Sequence, residues 1–511
     1  MIGLLILVFF IIFYCVRCFK NAYKRPSDKF PPGPPKLPIH GAYWIVVLKK
    51  INNLAASFKM LSKEYKTKVL GLYLGNFVTI IVDDPHLIKE CLNREEFDGR
   101  VDFLVARLRS FWKKLGIFFT DGYFWHVQRR FSLRYMRDFG FGRREETLET
   151  CFSNDIKEMI NMATYGPNYP AEKAIIKGDL ICLQDYFAVP FINGMLHVLV
   201  RNPLPRSEYK VLWELSRYAL KFQRGTNDLG GAVSLTPCLK DLMPKLSGYH
   251  DLRSGNQYLL DFFNKIIKDQ MSTYDTTHLR HFIDVYVKKM KEEEKDTKRS
   301  TFSVEQLQLI CTDYMFPAAS AVQAVLTFLV ERLLIQPEVQ DRIHEEIDRV
   351  VGRDRMPSLD DRQNMPYTEA CIREIMRFET LVPLGVLHRT VKPTTIDEYH
   401  IPENTVVAFN YVSLHMDKKL WGDPENFRPE RFIKNGILNL SADKSLPFGS
   451  GKRLCAGETY ARQSMFLVFS AFMQAFHVST VTGKPLKKPA SRIQGIITTI
   501  KDFWVKITPR S

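Results

Sequence analysis

The run Pro447-Phe448-Gly449-Ser450-Gly451-Lys452-Arg453-Leu454-Cys455-Ala456-Gly457 limits what this chain can fold into more than any other feature. It presents one cysteine on a glycine-rich turn, directly ahead of Glu458 to Phe472, which has the pattern of a helix. A lone cysteine becomes a good metal ligand when its thiolate is stabilised, and a helix N-terminus facing the sulfur favours that form. Gly451 and Gly457 let the backbone come close enough for N–H groups to point at the sulfur.

Phe448, Gly451, Arg453, Cys455 and Gly457 match, at every fixed position, the haem-binding loop of the cytochrome P-450 superfamily, which the chain therefore resembles. The resemblance implies that Cys455 is the metal ligand, holding the iron of haem b (iron protoporphyrin IX) as a thiolate, with Phe448 and Arg453 against the cofactor. The bland alternative is a Gly/Ser turn around a buried structural cysteine, and a match at this many spaced positions argues against it.

At 511 residues the chain is long enough for two or three domains, but no composition break or Gly/Ser linker divides it after residue 40. One large domain, 41–511, is expected. A content of 45% hydrophobic and 12% aromatic residues is enough for a core with a roomy apolar interior. The net charge of +16 suits an acidic partner or an anionic membrane surface. No nucleic-acid motif accompanies it, and no aromatics interleave with a basic stripe, so nucleic-acid binding is excluded. Nine scattered cysteines, an odd number, do not make a disulfide framework and place the domain in a reducing compartment.

Ile2 to Val16 is apolar almost throughout and is followed by Arg17, Lys20, Lys24 and Arg25. A secretory signal would carry its positive charge ahead of the apolar stretch and small residues at a cleavage site. The reverse charge order predicts an uncleaved N-terminal transmembrane anchor over 1–19, with the following residues in the cytosol. Residues 20–40 are basic and Pro-rich, and Phe30 to Pro38 predicts a semi-rigid spacer that sets the domain's attitude to the bilayer. Microsomal members of the family share this arrangement.

Strands are predicted at Val69 to Leu74, Val78 to Val82, Gly385 to Val391 and Thr405 to Tyr411. The remainder is largely helical, with a long stretch over Val304 to Leu334 and a second helix over Val339 to Val351. The expected fold class is mainly α with a small β region, the cytochrome P-450 fold behind an N-terminal membrane anchor.

Glu374 and Arg377 stand three apart, on one helix face, upstream of Pro429-Glu430-Arg431-Phe432. The resemblance implies a buried Glu374/Arg377/Arg431 network behind the haem, without chemistry of its own. It also implies that Trp125 and Arg129, one turn apart, meet a haem propionate, while Arg100, Arg453 and His388 fill the other propionate places. Arg389 competes at the last of these. Buried carboxylates need such compensation. Arg129, Arg130, Arg134 and Arg137 form either a solvated helix face or a docking surface for an acidic electron donor. In microsomal relatives that donor is an NADPH-dependent flavoprotein reductase and sometimes cytochrome b5.

The chain departs from the family in the central helix, which reads Asp313-Tyr314-Met315-Phe316-Pro317-Ala318-Ala319-Ser320-Ala321. The family usually places an acid and then a threonine here to pass protons to bound oxygen; Ser320 and Ala321 stand in those places. Pro317 lacks an N–H, so the Asp313 carbonyl loses its helical partner and a kink is expected there. A water held by that carbonyl and the Ser320 hydroxyl is one substitute relay, making Asp313 and Ser320 the candidate catalytic residues. The other reading leaves Ser320 bonded within its own helix.

The predicted pocket draws on 101–119, 191–242, Phe316 with Ala319, 381–387 and 495–498, stretches rich in apolar and aromatic side chains. The expected activity is a monooxygenase that inserts one atom of dioxygen into a lipophilic small molecule on the cytosolic face of the endoplasmic reticulum. Ser320-Ala321 keeps an isomerase or dehydratase acting on an oxygenated lipid as the alternative, and a haem sensor or carrier without turnover as a third reading.

Overall fold

The computed structural model describes residues 2–294, 300–484 and 486–510. Helices dominate and the strands form small sheets, the balance that the sequence periodicity predicts. Val69–Leu74 and Phe77–Val82 make an antiparallel hairpin whose turn needs Gly75 at φ +58°, a conformation that strains other residues. Val406–Phe409 then pairs in parallel with Phe77–Val82, and His388–Arg389 and Gly99–Arg100 complete the five-stranded sheet. The predicted strand Gly385 to Val391 is thus reduced to two residues, because Gly385 turns at φ +66°. Its register matters for function, since Arg100 lies directly opposite His388.

The Pro-rich segment lies against the sheet. Gly71 N–H donates to the Pro32 carbonyl at 2.8 Å, and a Cβ on Gly33 would stand 2.0 Å from the Gly71 oxygen. Phe30 is buried beside them, so the segment is packed onto the edge of the sheet. Ahead of it, Ile2–Lys20 is a helix with Phe9, Phe10, Phe13 and Phe19 exposed.

Leu183–Val200 is mostly apolar and wholly buried, with Asn193 bonded to Asp155 and to the Leu204 carbonyl. The central helices pack on it. The sequence predicts one stretch from Val304 to Leu334 kinked at Pro317; the structure has Val304–Ala318 and Ala321–Ile335, parted two residues beyond the proline. The break falls at Ser320, whose backbone leaves the helical region at φ −142° and whose N–H bonds the Pro317 carbonyl at 3.3 Å. The Phe316 carbonyl loses that N–H and accepts the Ser320 hydroxyl instead, at 2.6 Å. The next predicted helix, Val339 to Val351, runs over Pro337–Val350, with a proline in the first turn where a missing N–H costs nothing.

Pro366–Glu379 carries Glu374 and Arg377, which meet through two hydrogen bonds of 2.7 Å and are fully buried. Arg431 Nε adds a bond of 3.0 Å to Glu374. Arg377 Nη1 donates to the carbonyls of His415 and Pro424, so every charge in the network is answered. Cys91, Cys151, Cys182, Cys238, Cys311, Cys371 and Cys455 are free thiols.

Candidate functional site

The cysteine loop takes its shape from its glycines. Gly449 and Gly451 have φ +75° and +68°, and a Cβ on Gly451 would stand 2.0 Å from the Leu92 carbonyl oxygen. Cys455 N–H donates to the Phe448 carbonyl at 2.9 Å, which closes the turn. Phe448 lies under the Arg462 guanidinium at 4.8 Å. Glu458–Ala475 starts at Gly457, so the predicted helix is present and its N-terminus adjoins the cysteine.

Cys455 keeps accessible surface on the loop. Burial pushes the thiol up, while the Gly457 N–H and Arg129 oppose that shift. The helix terminus alone therefore does not make the thiolate the favoured form; a bound cation does so. Among the described residues no three His, Cys, Asp or Glu side chains converge on a metal.

The five predicted propionate contacts come from distant parts of the chain. Gly122–Met136 supplies Trp125 and Arg129 one turn apart, and the two-residue strand pair supplies Arg100 and His388. Arg453 Nε and Nη2 donate to the Asp98 carbonyl at 2.8 and 2.5 Å, and its guanidinium carbon stands 3.6 Å from the Trp125 ring centroid. Arg129 Nη2 donates to the Leu454 carbonyl, next to the cysteine. Arg100 Nη1 donates to the carbonyls of Val386 and Leu387 at 3.0 and 3.3 Å.

These anchored side chains leave buried donors unused: Arg100 Nε, Trp125 Nε1 and Arg453 Nη1 have no partner. Burial pushes Arg100 down to about 10. Burial and the neighbouring Arg100 push Arg453 down to about 8. Crowded cations with orphaned donors are costly unless an anion joins them, and a pair of carboxylates is what they lack. The residues present therefore fit the propionates of a haem.

His388 behaves differently. Burial, then Arg100 and Arg453, hold it well below the usual imidazole range. Its Nδ1 lies 2.7 Å from the Phe97 carbonyl, which fixes the proton on that nitrogen and leaves Nε2 an acceptor. It donates to a propionate only after gaining a proton. Arg389 is engaged elsewhere, with Asp121 at 2.9 Å and Asn404 at 2.6 Å.

Asp313 and Ser320 are both buried. Asp313 Oδ2 accepts the N–H groups of Ile117 and Phe118 at 2.6 and 3.2 Å, and Oδ1 contacts the Arg109 guanidinium. Burial raises this carboxyl in spite of Arg109. Ser320 Oγ donates to Phe316 and lies 3.4 Å from Gln223 Nε2.

Two residues of the site escape sequence reasoning. Arg109 stands in no recognisable spacing. His415, whose Nε2 accepts the Leu446 N–H at 3.1 Å, supports the cysteine loop from a stretch without a motif.

Comparison with known proteins agrees with this geometry. A model of the family described as Cytochrome P450 matches residues 31–507. The chain is 30% identical to a farnesoate epoxidase of Bombyx mori, covering 100% of this chain and 99% of that protein. It is 31% identical to cytochrome P450 2C1 of Oryctolagus cuniculus over 93% of each, and 30% identical to cytochrome P450 2H1 of Gallus gallus over 98% of each. With the cysteine loop, its orphaned donors and the family match in agreement, this chain belongs to the cytochrome P450 family, whose members bind haem b through a cysteine thiolate.

Proposed function

We propose that this cytochrome P450 monooxygenase inserts one atom of dioxygen into a lipophilic substrate, using electrons that a flavoprotein reductase takes from NADPH. The observation that carries the proposal is the convergence of Arg100, Trp125 and Arg453, with unused buried donors, beside Cys455. Haem b, when bound, supplies reductive activation of dioxygen. Cys455 would hold its iron, Phe448 would pack against it, and Arg100, Trp125, Arg129 and Arg453 would hold the propionates, with His388 beside Arg100.

Three elements of the chain support the finer reading. Arg130, Arg134 and Arg137 are exposed on the segment that carries Arg129 to the cysteine loop, which suits an acidic electron donor, the reductase or cytochrome b5, on that side. The exposed apolar side chains of Ile2–Lys20, with basic residues after them, suit an anchor in the endoplasmic reticulum membrane and a cytosolic catalytic domain. Phe118, Phe119 and Phe316 supply apolar walls for a lipophilic molecule.

For proton delivery, both oxygens of the Asp313 carboxylate are taken up by neighbours, so its part falls to the main-chain carbonyl that Pro317 leaves without a helical N–H. Ser320 Oγ keeps a free lone pair after donating to Phe316, and a water between the two groups would carry the proton. None of the relatives named above is an isomerase by name, and the epoxidase among them favours oxygen insertion.

The test is incubation of the haem-loaded chain with reductase, NADPH and a lipid and steroid extract under heavy-isotope dioxygen. Heavy oxygen in a product is expected. Rearranged, unlabelled products formed without NADPH would overturn the proposal.

A further inference from the structure

We infer that Gln223 and Gln323 are positioning residues for proton delivery, holding waters that lead to Ser320, an inference that deepens the monooxygenase reading above and rests on it. Ser216 and Gln223 stand seven apart on the helix Tyr209–Arg224, and Ser320 and Gln323 stand three apart at the start of Ala321–Ile335, so each pair shares one helix face. The two faces meet: Gln323 Nε2 donates to Ser216 Oγ at 2.8 Å, and Gln223 Nε2 to Ser320 Oγ at 3.4 Å. All four side chains are buried.

The chemistry of the neighbours fixes which way each amide faces. The Ser320 hydroxyl proton is committed to the Phe316 carbonyl, so its oxygen can only accept and must meet an N–H of Gln223. The Ala319 carbonyl, 3.0 Å from Gln323 Nε2, likewise only accepts. Both amide oxygens therefore point elsewhere in the seam between the helices, and both are buried without a partner. Other buried glutamines of this chain are used at both ends. Gln340 donates to the Val478 carbonyl at 3.0 Å and accepts the Val478 N–H at 2.8 Å, while Gln128 donates to the Thr301 carbonyl and accepts from the Tyr286 hydroxyl, each at 2.9 Å. Those two pin neighbouring segments together; Gln223 and Gln323 carry acceptors for a further group.

A buried acceptor without a partner is costly, and a water with several polar neighbours removes the cost. The neighbours here are the two amide oxygens and the remaining lone pair of Ser320 Oγ. An amide holds a water but does not itself give up a proton at neutral pH, so both glutamines position and the waters carry. The next face of the same helix supplies the source of protons: Arg217, Lys221 and Arg224 line a cleft of about 400 Å³ together with Gln184, Asp185 and Asp502. A proton enters from solvent there, and each water passes one proton inward while taking one from its outer neighbour, so nothing in the file is consumed. The acid and threonine that the family usually places at 320 and 321 are replaced by Ser320 and Ala321, and in this chain a second helix brings polar groups to that place.

Two measurements on the haem-loaded full chain test this. A crystal structure at a resolution that shows ordered water should have a water donating to each of the two amide oxygens. Labelled product and hydrogen peroxide per NADPH are then measured with reductase, a lipid and steroid extract and heavy-isotope dioxygen. The double variant Gln223→Met with Gln323→Met keeps side-chain length and apolar packing but no acceptor, and should lower labelled product per NADPH by about 10-fold, with hydrogen peroxide making up the difference. Gln223→Glu keeps an oxygen for the water and, protonated, an O–H for Ser320, yet it is harder to bury than Gln223→Met. Water positioning therefore predicts a higher product yield in Gln223→Glu than in Gln223→Met despite a lower Tm, whereas a packing role predicts that yield follows Tm. A seam without water, an unchanged yield in the double variant, or yields that follow Tm would overturn the inference while leaving the monooxygenase reading intact. If the unaltered chain forms no labelled product, the monooxygenase reading fails and the inference fails with it.

Discussion

His415 Nε2 accepts the N–H of Leu446, just ahead of the cysteine loop, while its Nδ1 lies 2.8 Å from Thr380 Oγ1 and its carbonyl accepts Arg377. One imidazole thus ties the Glu374 network to the turn that presents Cys455. Burial, then Arg377, push its pKa down to about 3, against about 6.5 in an unfolded chain. The neutral ring is therefore favoured by folding: its stability is fully present above pH 6.5 and is lost as pH falls toward 3. From pH 6.5 to 5 the loss amounts to about 2 kcal/mol. His197, His281 and His344, each pushed down to about 4 by burial, act in the same direction. Asp155, pushed up to about 7 by burial, acts against them, since its contribution is lost as pH rises through that value. A difference measurement separates His415 from the rest. His415→Gln, which keeps an acceptor for Leu446, should flatten the fall in urea-unfolding stability between pH 6.5 and 5 by about 2 kcal/mol. An unchanged slope would count against this assignment.

Among the elements, the break between Val304–Ala318 and Ala321–Ile335 has the most bearing on activity. It survives because a hydroxyl replaces an N–H on the Phe316 carbonyl. Ser320→Ala strands that buried acceptor, and unfolding should show a loss of about 1–3 kcal/mol. If Ser320 also holds the proton-carrying water, labelled product per NADPH consumed should fall by on the order of 10²-fold. Full coupling in a stable Ser320→Ala protein would remove Ser320 from proton delivery. The position of this break was not legible in the sequence. Pro317 announces a disturbed helix, yet the proline is absorbed, and the chain parts where Ser320 finds Phe316 and Gln223, partners that only the folded structure brings together. By contrast, Glu458–Ala475 and the hairpin strands are legible because their apolar periodicity and glycine boundaries are local. The strand around His388 is legible in place but not in length, since Gly385 turns out of the extended line.

At the scale of the whole molecule, the site joins loop 447–457, the residues around 98–100, the helix with Trp125 and the strand with His388, which are remote in sequence. The cysteine loop was readable because its residues sit at fixed spacing within a single turn. Arg109 and His415 were not readable, because each finds its partner only in the folded chain: Asp313 for the first, a loop amide for the second. The net charge of +16 is arranged accordingly, with cations buried around the cofactor place and others exposed along the Trp125 helix. Everything in this arrangement points to Cys455 as the side chain that holds the metal. The most direct measurement is the reduced, carbon monoxide-bound absorption spectrum of the haem-loaded protein beside that of Cys455→Ser. The account predicts a thiolate-type spectrum for the first and its loss in the second; a thiolate-type spectrum retained in Cys455→Ser would contradict it.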